Sequence, residues 1–391
     1  MKTHIILGLS ALFLASCSFQ PKPSPEELFQ KSMAFYAQAE GIKYDLEHSH
    51  KYFTDSDTLI KHSSIEVVKA VSDTIIGFMI QSSTEEKIRS FARPYEHVID
   101  IKKDSGRIFL EDDPNLLYYQ RQMGAAIYSF FFQKQSVIEQ LNDSGRVVTI
   151  FEDLVDDTPC WVLQIDEPEE YDLFTQWKCF YYFNKKDFRL EQYVQTNDVL
   201  SSFNYDCWKY TKQDFKITED QFLTNRIALS KVYHMDTSNY IYAKDVIAEK
   251  EDQFIKRLPQ VSLYDVRDST EIQFTDFKGK PTIVDFWFMA CAWCYKGFPH
   301  MNELHAKYKE ECNVVGLNPY DAGKDFLQKY MSDLDMQYPS YFVRSTVFDS
   351  LRVNGFPYYF VFDKSGKMVF QQSGYHDSLV VRIDSVLNTL Q

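Results

Sequence analysis

The chain has 391 residues, of which 45% are apolar, 25% charged and 16% aromatic, a composition that excludes a mainly disordered, collagen-like or many-span membrane protein. With 56 acidic against 42 basic side chains the formal net charge is −14, which repels a phosphate backbone, so nucleic acid is not expected as a partner. The length predicts two domains, each able to bury a core, and seven cysteines are too few for a disulfide scaffold, so each is read by its own spacing.

Lys2 and His4 precede an apolar run of Ile5, Ile6, Leu7, Leu9, Leu12, Phe13 and Leu14. Such a run has the length of a secretory signal core and is too short to span a bilayer. It ends in Leu14, Ala15, Ser16 and Cys17, which resembles the lipobox of bacterial lipoproteins. The resemblance implies that residues 1–16 are a signal peptide and that Cys17 is lipidated, tying an exported protein to a membrane; an ordinary signal with a chance cysteine is the alternative. A periplasm-facing location, where disulfides persist, follows from this reading. Ser18 in place of a retention aspartate leans toward the outer membrane. Residues 17–25, with Pro21, Pro23 and Pro25, are expected to form a tether.

Ser24, Pro25 and Glu27 supply an N-cap, an N1 proline and a capping-box acid for a helix carrying Leu28, Phe29, Met33 and Tyr36, with Gly41 as its expected stop. From Ile42 to Thr211 short alternating stretches predict strands, among them Ile65–Val71, Ile75–Ile80, His97–Ile101, Arg107–Glu111, Val147–Phe151 and Trp161–Ile165. Asp104–Gly106 and Asn184–Asp187 read as hairpin turns between such runs. Leu116–Leu141 is helix-like, although its aromatic cluster also suits a buried strand. The succession resembles the half-open barrels of lipoprotein carrier and sorting proteins, in pattern only. Residues 26–250 are thus expected to form a β-rich (α+β) domain of unassigned role. The charged stretch Ala243–Arg257 is predicted helical and closed by Pro259, which places a linker at 251–257 and a second domain at 258–391.

In that second domain Thr282–Phe288 is apolar apart from Asp285, the signature of a strand buried on both faces. A helix over His300–Glu311, a strand over Val314–Leu317, a helix over Phe326–Leu334, a strand over Tyr358–Phe362, a hairpin into Met368–Gln371 and a helix over Ser378–Leu390 complete an α/β arrangement of a mixed sheet flanked by helices. Cys291, Ala292, Trp293 and Cys294 follow the buried strand and open the next helix. Unpaired N–H groups and the positive dipole end at that position stabilise thiolate over thiol, and the two-residue spacing lets Cys294 resolve a mixed disulfide formed at Cys291. Half of a zinc site, or two structural thiols, are the competing readings; no second C-x-x-C pair and no closely spaced histidine pair lies nearby.

These residues resemble the thioredoxin superfamily, in particular its membrane-anchored, TlpA- or ResA-like branch. The likeness runs over Leu258–Gln391 and rests on the two cysteines, on Phe277–Trp287 ahead of them, on Pro299, and on Gly355, Phe356 and Pro357 followed by Tyr358–Lys367. It implies that Pro357 is a cis-proline facing the disulfide. It also implies that Phe356, Trp293 and Ala292 meet an extended substrate segment, and that Asp285 is a buried acid serving Cys294. Ala290 and Trp293 stand where most members carry tryptophan and proline, and Gly297 where many of the anchored branch carry glutamate, so the redox potential does not transfer. The threonine and proline pattern of peroxiredoxins is absent, which makes thiol peroxidase chemistry a minor alternative.

Cys160, Cys179, Cys207 and Cys312 read as buried small hydrophobes, with one disulfide among the first three left open. His48 and His50 share one face of a strand but lack an acid or third histidine in an arranged motif, so no metal is assigned. Tyr181, Tyr182 and their aromatic neighbours read as core packing rather than a ligand groove. The resulting expectation is a lipid-anchored thiol–disulfide oxidoreductase whose redox group is the Cys291–Cys294 pair, with no separate cofactor. It would act on exported proteins with disulfides or thiols and draw electrons from an upstream thiol donor. The alternative is a ligand- or partner-binding lipoprotein whose redox domain is regulatory.

Overall fold

The computed structural model of the protein describes residues 21–390 apart from 53–56, 72, 74–76, 111–126, 128–129, 133–140, 142–144, 167–173, 200–201, 238–239, 243–257, 290, 320–323 and 344–355. The signal segment and Cys17, the linker, and most of the helix expected at Leu116–Leu141 lie outside the described residues, although Ile127, Phe130 and Phe131 of that stretch are helical and buried.

Helix α1 (Pro25–Ala37) starts as its sequence demands: the Ser24 side chain accepts from the Glu27 amide and the Glu27 side chain reaches back to the Ser24 amide. Its end departs from the expectation. The cap is Gln38, and Gly41 instead opens strand β1 (Gly41–Lys51). A Cβ at Gly41 would sit 2.6 Å from the Ile217 carbonyl oxygen, so the glycine permits a close backbone approach rather than ending the helix.

Strand β1 begins a meander through β2 (Leu59–Lys69), β3 (Phe78–Ser83), β4 (Lys87–Ala92), β5 (Tyr95–Asp100) and β6 (Ser105–Leu110). A second meander runs through β7 (Val147–Val155), β8 (Thr158–Asp166), β9 (Phe174–Asn184), β10 (Leu190–Val199) and β11 (Ser202–Asp214). The first strand of one pairs antiparallel with the last strand of the other, β1 with β11, so the two meanders fuse into one sheet. The two-residue strand β12 (Ile241–Tyr242) adds in parallel to β6. Ile65 and Val67 of β2, Phe78 and Ile80 of β3, Leu163 and Ile165 of β8, and Tyr181 and Phe183 of β9 belong to one core with Leu28, Phe29 and Tyr36 of α1. Alternation then puts Val68 on the opposite face, under Phe222 of helix α2 (Glu219–Val232), a helix that the alternating pattern did not disclose.

The second sheet has the order β14-β13-β17-β16-β15-β18-β19, built from β13 (Ser262–Asp265), β14 (Glu271–Gln273), β15 (Thr282–Phe286), β16 (Asn313–Asn318), β17 (Ser340–Phe342), β18 (Tyr358–Phe362) and β19 (Met368–Ser373). Every residue of β15 is buried, as its apolar run requires. It lies parallel to β16 and antiparallel to β18. Ile283 and Trp287 face helices α3 (Ala292–Tyr308), α4 (Lys324–Asp333) and α5 (Leu379–Asn388), whereas Val284 and Phe286 face a second cluster with Leu258 and Phe274. Both faces of the mixed sheet are therefore covered.

Candidate active site

Period-two alternation decides what β15 offers to the helices. Asp285 shares its parity with Ile283 and Trp287, so it points to the face on which α3 packs. Beyond the strand the chain is held by buried contacts: the Trp287 indole N–H donates to Ser340 Oγ at 2.8 Å, Trp287 stacks on Tyr330 with centroids 5.8 Å apart, and the Tyr330 hydroxyl donates to the Met289 carbonyl at 2.6 Å. This frame delivers Cys291 to the N-cap of α3.

Cys291 and Cys294 form a disulfide across a Cα–Cα distance of 5.2 Å. The Cys294 amide donates to Cys291 Sγ at 3.0 Å, and the Cys294 and Tyr295 amides also meet the Cys291 carbonyl. A helix N-terminus that points N–H groups at Cys291 favours negative charge on its sulfur. Both sulfurs are enclosed: Cys291 is 5% and Cys294 1% exposed, whereas Trp293 between them is 56% exposed. The Lys296 ammonium lies 4.6 Å from the Trp293 ring centroid.

Phe356–Pro357 is a cis peptide, as the resemblance implies. Phe356 meets Phe288 edge-on at 5.1 Å, and the Gly374 amide donates to the Pro357 carbonyl at 2.8 Å. Ala290 and Gly355 lie outside the described residues, as does the placement of the Ala292 side chain.

Asp285 is 1% exposed. One carboxylate oxygen accepts a 2.6 Å hydrogen bond from the Tyr338 hydroxyl, and the other has no hydrogen-bond partner among the described residues. Burial pushes its pKa up to about 7, against the lowering effect of the Tyr338 hydrogen bond. Directly across the β15–β18 ladder from Asp285 stands Tyr359, whose own hydroxyl is buried and raised by burial first and by the Asp285 charge second. That hydroxyl occupies the space a side chain at Gly297 would need. The space beside Gly297 on α3 is thus filled from strand β18. Tyr330, Tyr338 and Tyr359 escaped sequence reasoning because their relation to the site is made across strands. Tyr338 is 53 residues from Asp285, and no local spacing signals it.

Residues 256–371 match the AhpC/TSA family. Thiol-disulfide oxidoreductase ResA of Bacillus cereus is 33% identical over 128 residues, covering 31% of this chain and 71% of that protein. Thiol-disulfide oxidoreductase YkuV of Bacillus subtilis is 32% identical over 103 residues, covering 24% of this chain and 68% of its own. A DsbF homologue from Corynebacterium diphtheriae, known as a crystal structure, aligns over 33% of this chain and 85% of its own at 23% identity, with a TM-score of 0.30. Fold and sequence together define the C-terminal third as a thioredoxin-like domain. The chain belongs to the family of ResA-like thiol–disulfide oxidoreductases and is an enzyme of that class.

Proposed function

We propose that this protein is an exported, lipid-anchored reductase of disulfides in other exported proteins, with Cys291 as nucleophile and Cys294 as resolving thiol. The observation that carries the reading is the Cys291–Cys294 disulfide at the start of α3, on the face of β15 that presents a buried carboxyl. In the reduced protein the Cys291 thiolate attacks one sulfur of a substrate disulfide, forming a mixed disulfide and releasing the first substrate thiolate. Asp285 takes the Cys294 proton, and the Cys294 thiolate then attacks the Cys291 sulfur, releasing the second substrate thiolate and closing the disulfide. The substrate gains two electrons and the protein loses two; protons go to the departing thiolates. An upstream thiol donor in the membrane or periplasm returns the protein to its dithiol form. Phe356 and Pro357, with exposed Trp293, would offer the surface on which an extended substrate segment docks by main-chain pairing, and Ala292 is assigned to it by the resemblance alone.

The lipobox-like Leu14, Ala15, Ser16 and Cys17 and the proline-bearing segment 17–25 support lipidation at Cys17 and a membrane-bound, periplasm-facing location, with the outer membrane favoured by Ser18. Among the described residues no helix is long and apolar enough to cross a membrane. Residues 26–250 and 258–391 would then act as separate domains on one anchor.

In dithiol-driven reduction of a protein disulfide, Cys291→Ser is expected to abolish turnover, and Cys294→Ser to accumulate a mixed disulfide visible by mass. Full activity in Cys291→Ser overturns the reading. The direction of electron flow is set by the midpoint potential of the pair. A value at or below about −270 mV supports a reductase, and one near about −120 mV an oxidant.

A further inference from the structure

Away from the redox site, the seam between the two meanders gathers a second set of ligating side chains. His48 and His50 are two residues apart on β1 and so lie on one face of the sheet. On β11, Asp206 stands opposite His50 and Trp208 opposite His48, which brings the carboxylate to that same face. The ligand atoms of His48, His50 and Asp206 all lie within 4.8 Å of one another. Asp206 Oδ1 is 3.0 Å from His48 Nε2 and accepts from the Tyr52 hydroxyl at 3.0 Å. The rings are held by stacking: His48 lies flat on Trp208 at 4.9 Å and 4°, and His50 sits 5.0 Å from both His48 and Tyr52. His50 is buried, and His48 and Asp206 are partly so.

We infer that His48, His50 and Asp206 form a binding site for a divalent transition-metal ion of the zinc type, clipping the first meander to the second. Two imidazole nitrogens and one carboxylate oxygen are the donor set of three-ligand sites that keep an open coordination position. Calcium and magnesium demand more oxygen ligands than this face supplies. A thiophilic ion would require sulfur, and Cys207, between Asp206 and Trp208 on β11, points by alternation to the other face. The Tyr52 hydroxyl on Asp206 and the stacked indole on His48 are the outer contacts that orient ligands before an ion arrives. Sequence spacing assigned no metal because the acid lies 158 residues from His48 and meets it only through the β1–β11 ladder.

The test titrates zinc chloride into the full-length oxidised protein, whose Cys291–Cys294 disulfide keeps those sulfurs out of the coordination. One ion per chain is expected. Asp206→Asn and His50→Ala should each weaken it at least about tenfold, and Tyr52→Phe about tenfold. Cobalt in place of zinc should give a visible ligand-field band that Asp206→Asn lacks. The midpoint of thermal unfolding should rise with zinc in the wild type and stay fixed in Asp206→Asn. Circular dichroism checks that the variants fold; should His50→Ala fail to, His48→Gln gives the same readout. Absence of zinc binding by the wild type, or equal affinity in wild type and Asp206→Asn, overturns the inference.

Discussion

At Asp285 burial raises the carboxyl to about 7 while a single tyrosine hydroxyl holds the charged form. Between pH 4 and 7 the folded protein therefore keeps a proton that the unfolded chain has lost. The stability contributed by this group is full below about pH 4 and is lost as pH rises through 7. Asp285→Asn removes the charge, so it is expected to stabilise the domain at pH 8 relative to wild type, by at most on the order of 4 kcal/mol, with little change at pH 4. Urea unfolding at the two pH values measures this. The same substitution is expected to slow the resolving step about a hundredfold at pH 8 and to erase its rise through pH 7 if, as proposed, the carboxylate serves as the base; stopped-flow kinetics reads that limb. Opposite effects on stability and rate separate a proton-transfer residue from a packing residue. The acid was legible in the sequence as the one charge in an apolar strand; its partner Tyr338 was not, since hydroxyl and carboxyl meet only once β15 and the residues before β17 are folded together.

Between elements, the contact of α3 with β18 is set by what each leaves out. Helix α3 carries Gly297 where strand β18 presents the Tyr359 hydroxyl, and a Cβ there would collide with that oxygen while remaining 3.5 Å from the ring carbon that bears it. Gly297→Ala is expected to destabilise by about 1–3 kcal/mol through overpacking. Adding Tyr359→Phe should recover most of the loss, because the hydroxyl has no hydrogen-bond partner among the described residues and its removal strands none. A double-mutant cycle of thermal unfolding checks the coupling. Elements whose burial follows a simple period were readable: the start of α1, the buried strand β15, the hairpin of β18 and β19. Those whose pattern is set by a neighbour were not. Helix α2 buries Phe222, Arg226 and Ser230 while leaving Ile227 and Val232 exposed, so its buried face carries little apolar period, and Gly41 looks like a helix stop until Ile217 is placed against it.

Across the whole molecule the division into a β-rich part and an α/β part was legible from the change in pattern along the chain. The fusion of two meanders through β1 and β11 was not, since it pairs segments at opposite ends of the first domain. Each part has its own core, which lets the sulfurs be compared across both. Cys160, Cys179, Cys207 and Cys312 are thiols rather than disulfide halves, closing the possibility of a bridge among the first three. Burial pushes Cys160 and Cys312 up to about 12 and raises Cys207, which leaves almost no thiolate at neutral pH. After mild reduction, iodoacetamide is expected to label Cys291 within minutes and to leave Cys160, Cys179 and Cys312 untouched until the protein unfolds, as peptide mapping would show. The two packed cores thus act as electrical insulation. A partner disulfide can exchange electrons with one wired terminal of this chain, while the buried sulfurs of Cys160, Cys179 and Cys312, though of the same chemistry, stay off the circuit.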